Sequence, residues 1–139
     1  MPVTAIEKYF FTPLYYPRSW LSVLRWWEER RLVFNLWVGG AGLVTLGLVN
    51  VLFRMPPNPN PTLIPWPAII VYGVLANVCY TLGPIADVML RRFLGNRAHA
   101  VGPVLFRYGF VFSVGLTLLP IAVAGLGWLA RLFFQLTRL

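Results

Sequence analysis

The chain has 139 residues, 58% of them hydrophobic and only 12% charged, with a formal net charge of +8. Soluble domains carry about a quarter charged residues, so this composition excludes an ordinary water-soluble fold. A basic balance can signal nucleic acid, but here the arginines flank apolar runs instead of forming a separate patch. That placement points to topology and lipid and excludes nucleic acid as a partner.

Residues 1–18 read as an aromatic arm. Tyr9, Phe10, Phe11, Tyr15 and Tyr16 stand among Pro2, Pro13 and Pro17, which break regular helix. Such rings favour the headgroup region, so the arm is expected to lie on the membrane or pack into a neighbouring subunit. Glu7 and Lys8 interrupt any apolar core, which argues against a cleavable signal peptide.

Ser19 is the predicted N-cap of an amphipathic interfacial helix over 19–31. At about 100° per residue, Trp20, Leu24 and Trp27 share one side, with Ser22, Arg25 and Glu29 opposite. Trp20, Trp26 and Trp27 are read as interfacial anchors at headgroup depth, with a bend near Arg30–Leu32 before the chain enters the bilayer.

Three apolar runs follow, at 32–53, 67–90 and 108–130, each above the ~18-residue length that argues for a membrane span. The predicted fold is an all-α membrane protein with three transmembrane helices, one integral membrane domain over 1–139. The first connection, from Arg54 to Pro67, has six prolines in fourteen residues and little charge. It is expected to run extended and to rest on another surface. The second connection is short and glycine-bounded, which favours antiparallel pairing of the second and third spans. Of the twelve Lys and Arg, nine fall on the side of the N-terminus and the second connection, and three on the other. This asymmetry predicts a cytoplasmic N-terminus and an outside C-terminus.

Each span carries small or weakly polar residues at helical spacing. Asn35, Gly39 and Gly42 share one face of the first span, and Gly40, Gly47 and Asn50 lie along another. Gly73, Asn77, Tyr80 and Pro84 form the seam of the second; Ser113, Thr117, Pro120, Ala124 and Gly127 form that of the third. Small residues let helix backbones approach where lipid gives no hydrophobic drive to associate. A three-helix bundle needs one inward face per helix, so the second seam of the first span is free for a partner helix, another copy or a flat cofactor. Pro84 and Pro120 are expected to kink their helices. Asp87 is the single charge within the spans and is assigned to an interfacial ion pair with Arg91, four residues on, and Arg107. Cys79 is the only cysteine; it reads as a small packing residue and can form no internal disulfide.

The usual catalytic constellations are missing from the sequence. His99 is the only histidine, and there is no paired carboxylate and no metal-ligand spacing. The run Gly39-Gly40-Ala41-Gly42 lies inside a span, without the strand-turn-helix setting or the Lys of a phosphate loop. The protein is therefore read as not an enzyme, with no metal and no intrinsic cofactor. Its many rings leave open contact with a pigment, quinone, carotenoid or lipid held by partner subunits.

The stretches WWEERRLVFNLWVGGAG and ANVCYTLGPIAD resemble a group of small bacterial inner-membrane proteins without assigned function. The resemblance implies a bacterial inner membrane and no particular activity. The function expected from these readings is that of an accessory or stabilising transmembrane subunit of a larger membrane complex, first of all a respiratory or photosynthetic assembly. The alternative is a self-assembling pore or small transporter with Asn77, Tyr80 and Asp87 along its path.

Overall fold

The computed structural model describes residues 8, 19–57, 59, 64–95 and 101–137. It is all-helical: α1 spans Trp20–Arg54, α2 spans Trp66–Leu94 and α3 spans Val101–Leu136. All three helices are long and apolar enough to cross a membrane. The expected spans lie inside them, but the helices run further. With 35 and 36 residues, α1 and α3 extend about 52–54 Å, beyond the ~30 Å hydrocarbon core and the ~40–45 Å of a whole bilayer. Their ends therefore stand at or past headgroup depth.

The largest departure from expectation is at the start of α1. The side chain of Ser19 does cap the helix, accepting from the Ser22 N–H at 3.4 Å. The helix then continues unbroken from Trp20 through Arg30–Leu32 to Arg54, so no separate interfacial helix over 19–31 exists. The buried stripe is Val23, the pair Trp26 and Trp27, Arg30, Phe34 and Val38, three or four residues between successive layers. It is the backward extension of the inward face of the span itself. An isolated interfacial helix would be free to choose its own apolar side; a continuous one inherits the phase of the bundle. The arm at 1–18, apart from Lys8, and the connection around His99 lie outside the described residues.

Contacts along the helices fix their mutual direction. Trp26 meets Phe106, Phe34 meets Phe110, and Thr45 donates to the Thr117 carbonyl at 2.8 Å, so α1 and α3 run parallel. Asn35 pairs with Asn77, and Trp27 with both Tyr80 and Asp87, so α2 runs antiparallel to α1. Tyr72 meets Thr117 and Tyr80 meets Phe106, which sets α2 antiparallel to α3 as well. The starts of α1 and α3 thus share one end of the bundle with the close of α2. α1 packs most extensively on α3, its partner two elements away in the chain.

At the opposite end the residues just after α1 touch α3. The Trp128 indole N–H donates to the Pro56 carbonyl at 2.9 Å. Met55 and Pro65, which flank the connection, both have extended backbone, with ψ of 143° and 130°. Proline lacks the N–H that a further helical turn requires, so extension and a borrowed side-chain donor are the consistent outcome.

Candidate functional site

Two features of the bundle bring polar chemistry and shape together. The first is a closed aromatic end; the second is a groove between the three helices toward the other end.

Trp27 is the hub of the closed end. Its ring, 3% exposed, lies edge-on to Trp26, Tyr80 and Phe106, with centroids 5.5–5.8 Å away. Such edge-to-face pairs add about 0.5–1.5 kcal/mol each beyond simple burial. Its indole N–H donates to Asp87 Oδ2 at 3.2 Å, and its carbonyl accepts from the Tyr80 hydroxyl. Asp87 is 1% exposed and also accepts from Arg91 Nε, at 2.5 Å on Oδ1. The carboxylate lies against Gly102, the second residue of α3, where the helix dipole favours negative charge. One side chain of α2 thus hydrogen-bonds to α1 through Trp27 and contacts the start of α3 at Gly102.

Two glycines make this approach feasible. A Cβ on Gly83 would stand 2.6 Å from the Trp27 ring, and one on Gly102 would stand 2.6 Å from Asp87 Oδ2. Both distances are below any real Cβ contact, so a side chain here must displace the Trp27 ring or the Asp87 carboxylate. Arg30 closes the layer: it is buried, lies over the Trp26 ring at 3.9 Å and donates to the Trp26 carbonyl at 2.9 Å.

The groove toward the other end encloses about 430 Å³ and is walled by Val38, Leu43, Leu46, Ile69, Leu116 and Pro120, among others. Asn35 and Asn77 sit on its border, joined by a 3.2 Å hydrogen bond. Thr117 gives its one hydroxyl hydrogen to the Ser113 carbonyl at 2.7 Å, so the Tyr72 hydroxyl is the donor in their mutual contact. Thr45 donates to the Thr117 carbonyl. All three hydroxyls are consumed within the protein, and the wall they leave is chemically close to hydrocarbon.

The residues singled out in the sequence separate accordingly. Trp20 is 61% exposed, whereas Trp26 and Trp27 belong to the buried ring cluster and not to an exposed headgroup anchor. Their place follows from the continuity of α1. The Asp87–Arg91 pair forms; Arg107 is exposed on α3, and the ion pair recorded at Asp87 is the one with Arg91. Tyr80 and Asn77 contact α1 as a seam residue should, and Gly42 lies in ordinary contact with Thr117, at 3.9 Å for a Cβ. Among the described residues, nothing stands within 4 Å of a Cβ on Gly39, Gly40, Gly47 or Gly73. Asn50 turns back to its own helix, donating to the Leu46 carbonyl at 2.8 Å. Cys79, read as a small packing residue, is exposed at the border of the ring cluster. Gly83, Gly102, Tyr72, Thr45 and Arg30 are the important residues that the sequence reading did not assign to contacts. Of these, only Arg30 was signalled, by its phase with Phe34 and Val38.

Among the described residues, no cluster of three or more His, Cys, Asp or Glu stands together as a metal site. Comparison with family models, curated proteins and solved structures gave no match.

Proposed function

We propose that this protein is an accessory or stabilising transmembrane subunit of a larger membrane assembly, acting by association and not by catalysis. The observation that carries this reading is the outer face of α1. Leu36, Gly40, Leu43 and Gly47 follow one another at helical spacing, all exposed, with open space at both glycines. The close approaches inside the bundle fall instead to Gly83 and Gly102. A small-residue stripe that packing among the described residues leaves unused is suited to a second helix in lipid. The assembly proposed is an energy-transducing one, respiratory or photosynthetic, in a bacterial inner membrane; this class rests on analogy with small aromatic-rich subunits. Any pigment, quinone or carotenoid would then be held mainly by neighbouring chains.

The pore or transporter reading has less support. Its path residues are engaged within the bundle: Asn77 and Asp87 each accept once from α1 and bond once within α2, and Tyr80 donates to α1. The proposed orientation puts the ring-rich, arginine-rich end in the cytoplasm, following the excess of basic residues there.

Mild detergent extraction, native separation and mass spectrometry test the association. Gly47→Leu should reach the membrane normally and lose co-purifying proteins, while Leu48→Phe, exposed on α1 but about 100° round the helix from the stripe, should keep them. Migration of the wild type only as a free monomer would overturn the proposal. Cysteine labelling in a Cys79→Ser background should reach positions 8 and 97 from the cytoplasm and 58 and 138 from outside. Labelling of 58 and 97 from the same side would refute the three-span topology.

A further inference from the structure

A second groove lies on the outer side of the α1–α2 contact, with Arg31 at its foot. It is a shallow, open depression that follows the face of α2 from Thr81 through Asn77, Val74 and Gly73 to Ile70. Gly73 deepens the floor, since open space lies where its Cβ would be. Eleven residues of helix separate Thr81 from Ile70, a rise of about 16 Å. That is close to half of the ~30 Å hydrocarbon core, the depth of one leaflet.

The charge at the foot is incompletely used. Arg31 Nη2 donates to Glu28 Oε1 at 2.7 Å and reaches Thr81 Oγ1 at 3.5 Å, and the guanidinium lies 5.1 Å from the Tyr80 ring centroid. Arg31 Nε is buried without a hydrogen-bond partner, and Nη1 donates to no described residue. A guanidinium has five N–H groups in a planar fork that fits phosphate oxygens. The surroundings reinforce it: Arg25, Arg30, Arg91, Arg92 and Arg107 lie toward the same end, against Glu28, Glu29 and Asp87.

We propose that Arg31 and this face of α2 form a binding site for one anionic phospholipid, its phosphate on the Arg31 fork and one acyl chain along Val78, Val74 and Ile70. The cation fixes the headgroup where the apolar run of α1 begins, and the depression extends from there along α2 for about the depth of one leaflet. A detached phosphate would use only the foot of this site; the leaflet-long apolar wall selects a lipid. The inference requires the chain to be membrane-embedded but does not depend on the accessory role.

The test is native mass spectrometry of the purified protein in mild detergent, titrated separately with phosphatidylglycerol and phosphatidylcholine. Both lipids carry the phosphate, but the choline cation of phosphatidylcholine offsets its charge. The wild type should therefore hold phosphatidylglycerol about fivefold more tightly, the scale of one arginine's attraction to net negative lipid. Arg31→Gln should abolish that preference, whereas Arg25→Gln, an equal loss of charge on a side chain 85% exposed and off the groove, should retain it. Val78→Trp fills the wall without touching the charge and should weaken both lipids. Equal retention of the two lipids by the wild type would overturn the site. So would an equal loss of preference in Arg25→Gln and Arg31→Gln, or unchanged lipid binding in Val78→Trp. Should Arg31→Gln fail to fold, as read from its helical melting curve, Val78→Trp alone decides.

Discussion

At the arginine-rich end, the three helices meet through interlocked rings and a buried carboxylate. At the other end, α2 from Trp66 to Leu75 is exposed along its whole length, leaving the 430 Å³ groove, bridged by Tyr72 and Thr117. The difference is one of chemistry as much as of space. Lipid is as apolar as leucine, so burying Leu43 or Ile69 against another helix gains little over leaving it in hydrocarbon. Trp27, Tyr80 and Asp87 carry polar atoms that lipid cannot satisfy, and these gain from meeting one another. A membrane bundle therefore closes where it has polar atoms and ring edges to match. It stays open where its side chains are aliphatic.

The largest expected effect comes from breaking the closed end at its charge. Asp87→Ala leaves the Arg91 guanidinium and the Trp27 N–H without their acceptor in a buried site, and should cost about 3–5 kcal/mol. Unfolding in mixed micelles titrated with denaturing detergent, followed by helical circular dichroism, measures it. Asp87→Asn, which keeps one acceptor oxygen, should lose distinctly less. A loss under about 1 kcal/mol in Asp87→Ala would mean that the rings alone hold this end.

Next come the two glycines. Gly83→Ala and Gly102→Ala each drive one methyl into a contact of 2.6 Å, which overpacking rules place at about 1–3 kcal/mol. The two should differ in kind. Gly83→Ala displaces the Trp27 ring and should alter tryptophan fluorescence, while Gly102→Ala displaces the carboxylate and should leave the rings in place. Identical fluorescence changes in both would show that the ring layer and the carboxylate move as one unit.

Asn35→Leu probes the boundary between the two regions. It removes the amide that donates to Asn77, and interhelical bonds of this kind are worth ~0.6–2 kcal/mol in lipid. The same unfolding titration reads it, and a loss as large as that of Asp87→Ala would extend the closed end up to the groove.

The comparison also explains what could be read in the sequence. Span number and helical character were legible because runs such as 108–130 have no alternative to lipid. The Asp87–Arg91 pair was legible because its partners lie four apart on one helix. The Trp26 and Trp27 assignment went astray because a tryptophan suits a headgroup and a polar-tipped core equally well. What decides is whether another helix stands opposite. The same holds for glycine: Gly83 and Gly47 are indistinguishable as residues, and only the Trp27 ring beside one of them makes it indispensable. Local spacing says which residues share a face, but not which face meets a neighbour.

The smallest effect, and the sharpest in sign, belongs to the open face. Gly40 lies within α1 with nothing inside 4 Å of its Cβ position, so Gly40→Ala meets no steric cost in the isolated chain. Glycine within a helix is less favourable than alanine by roughly 0.5–1 kcal/mol, because the unfolded chain loses more freedom at glycine. Gly40→Ala should therefore stabilise the monomer by up to about 1 kcal/mol, opposite in sign to Gly83→Ala. In the native membrane, a helix docked on the Gly40–Gly47 stripe would reverse that sign, since the added methyls then hold the backbones apart. Stabilisation in dilute detergent together with loss of co-purifying proteins would place a partner on this face. Stabilisation with all partners retained would leave the face to lipid and remove the main support for an accessory subunit.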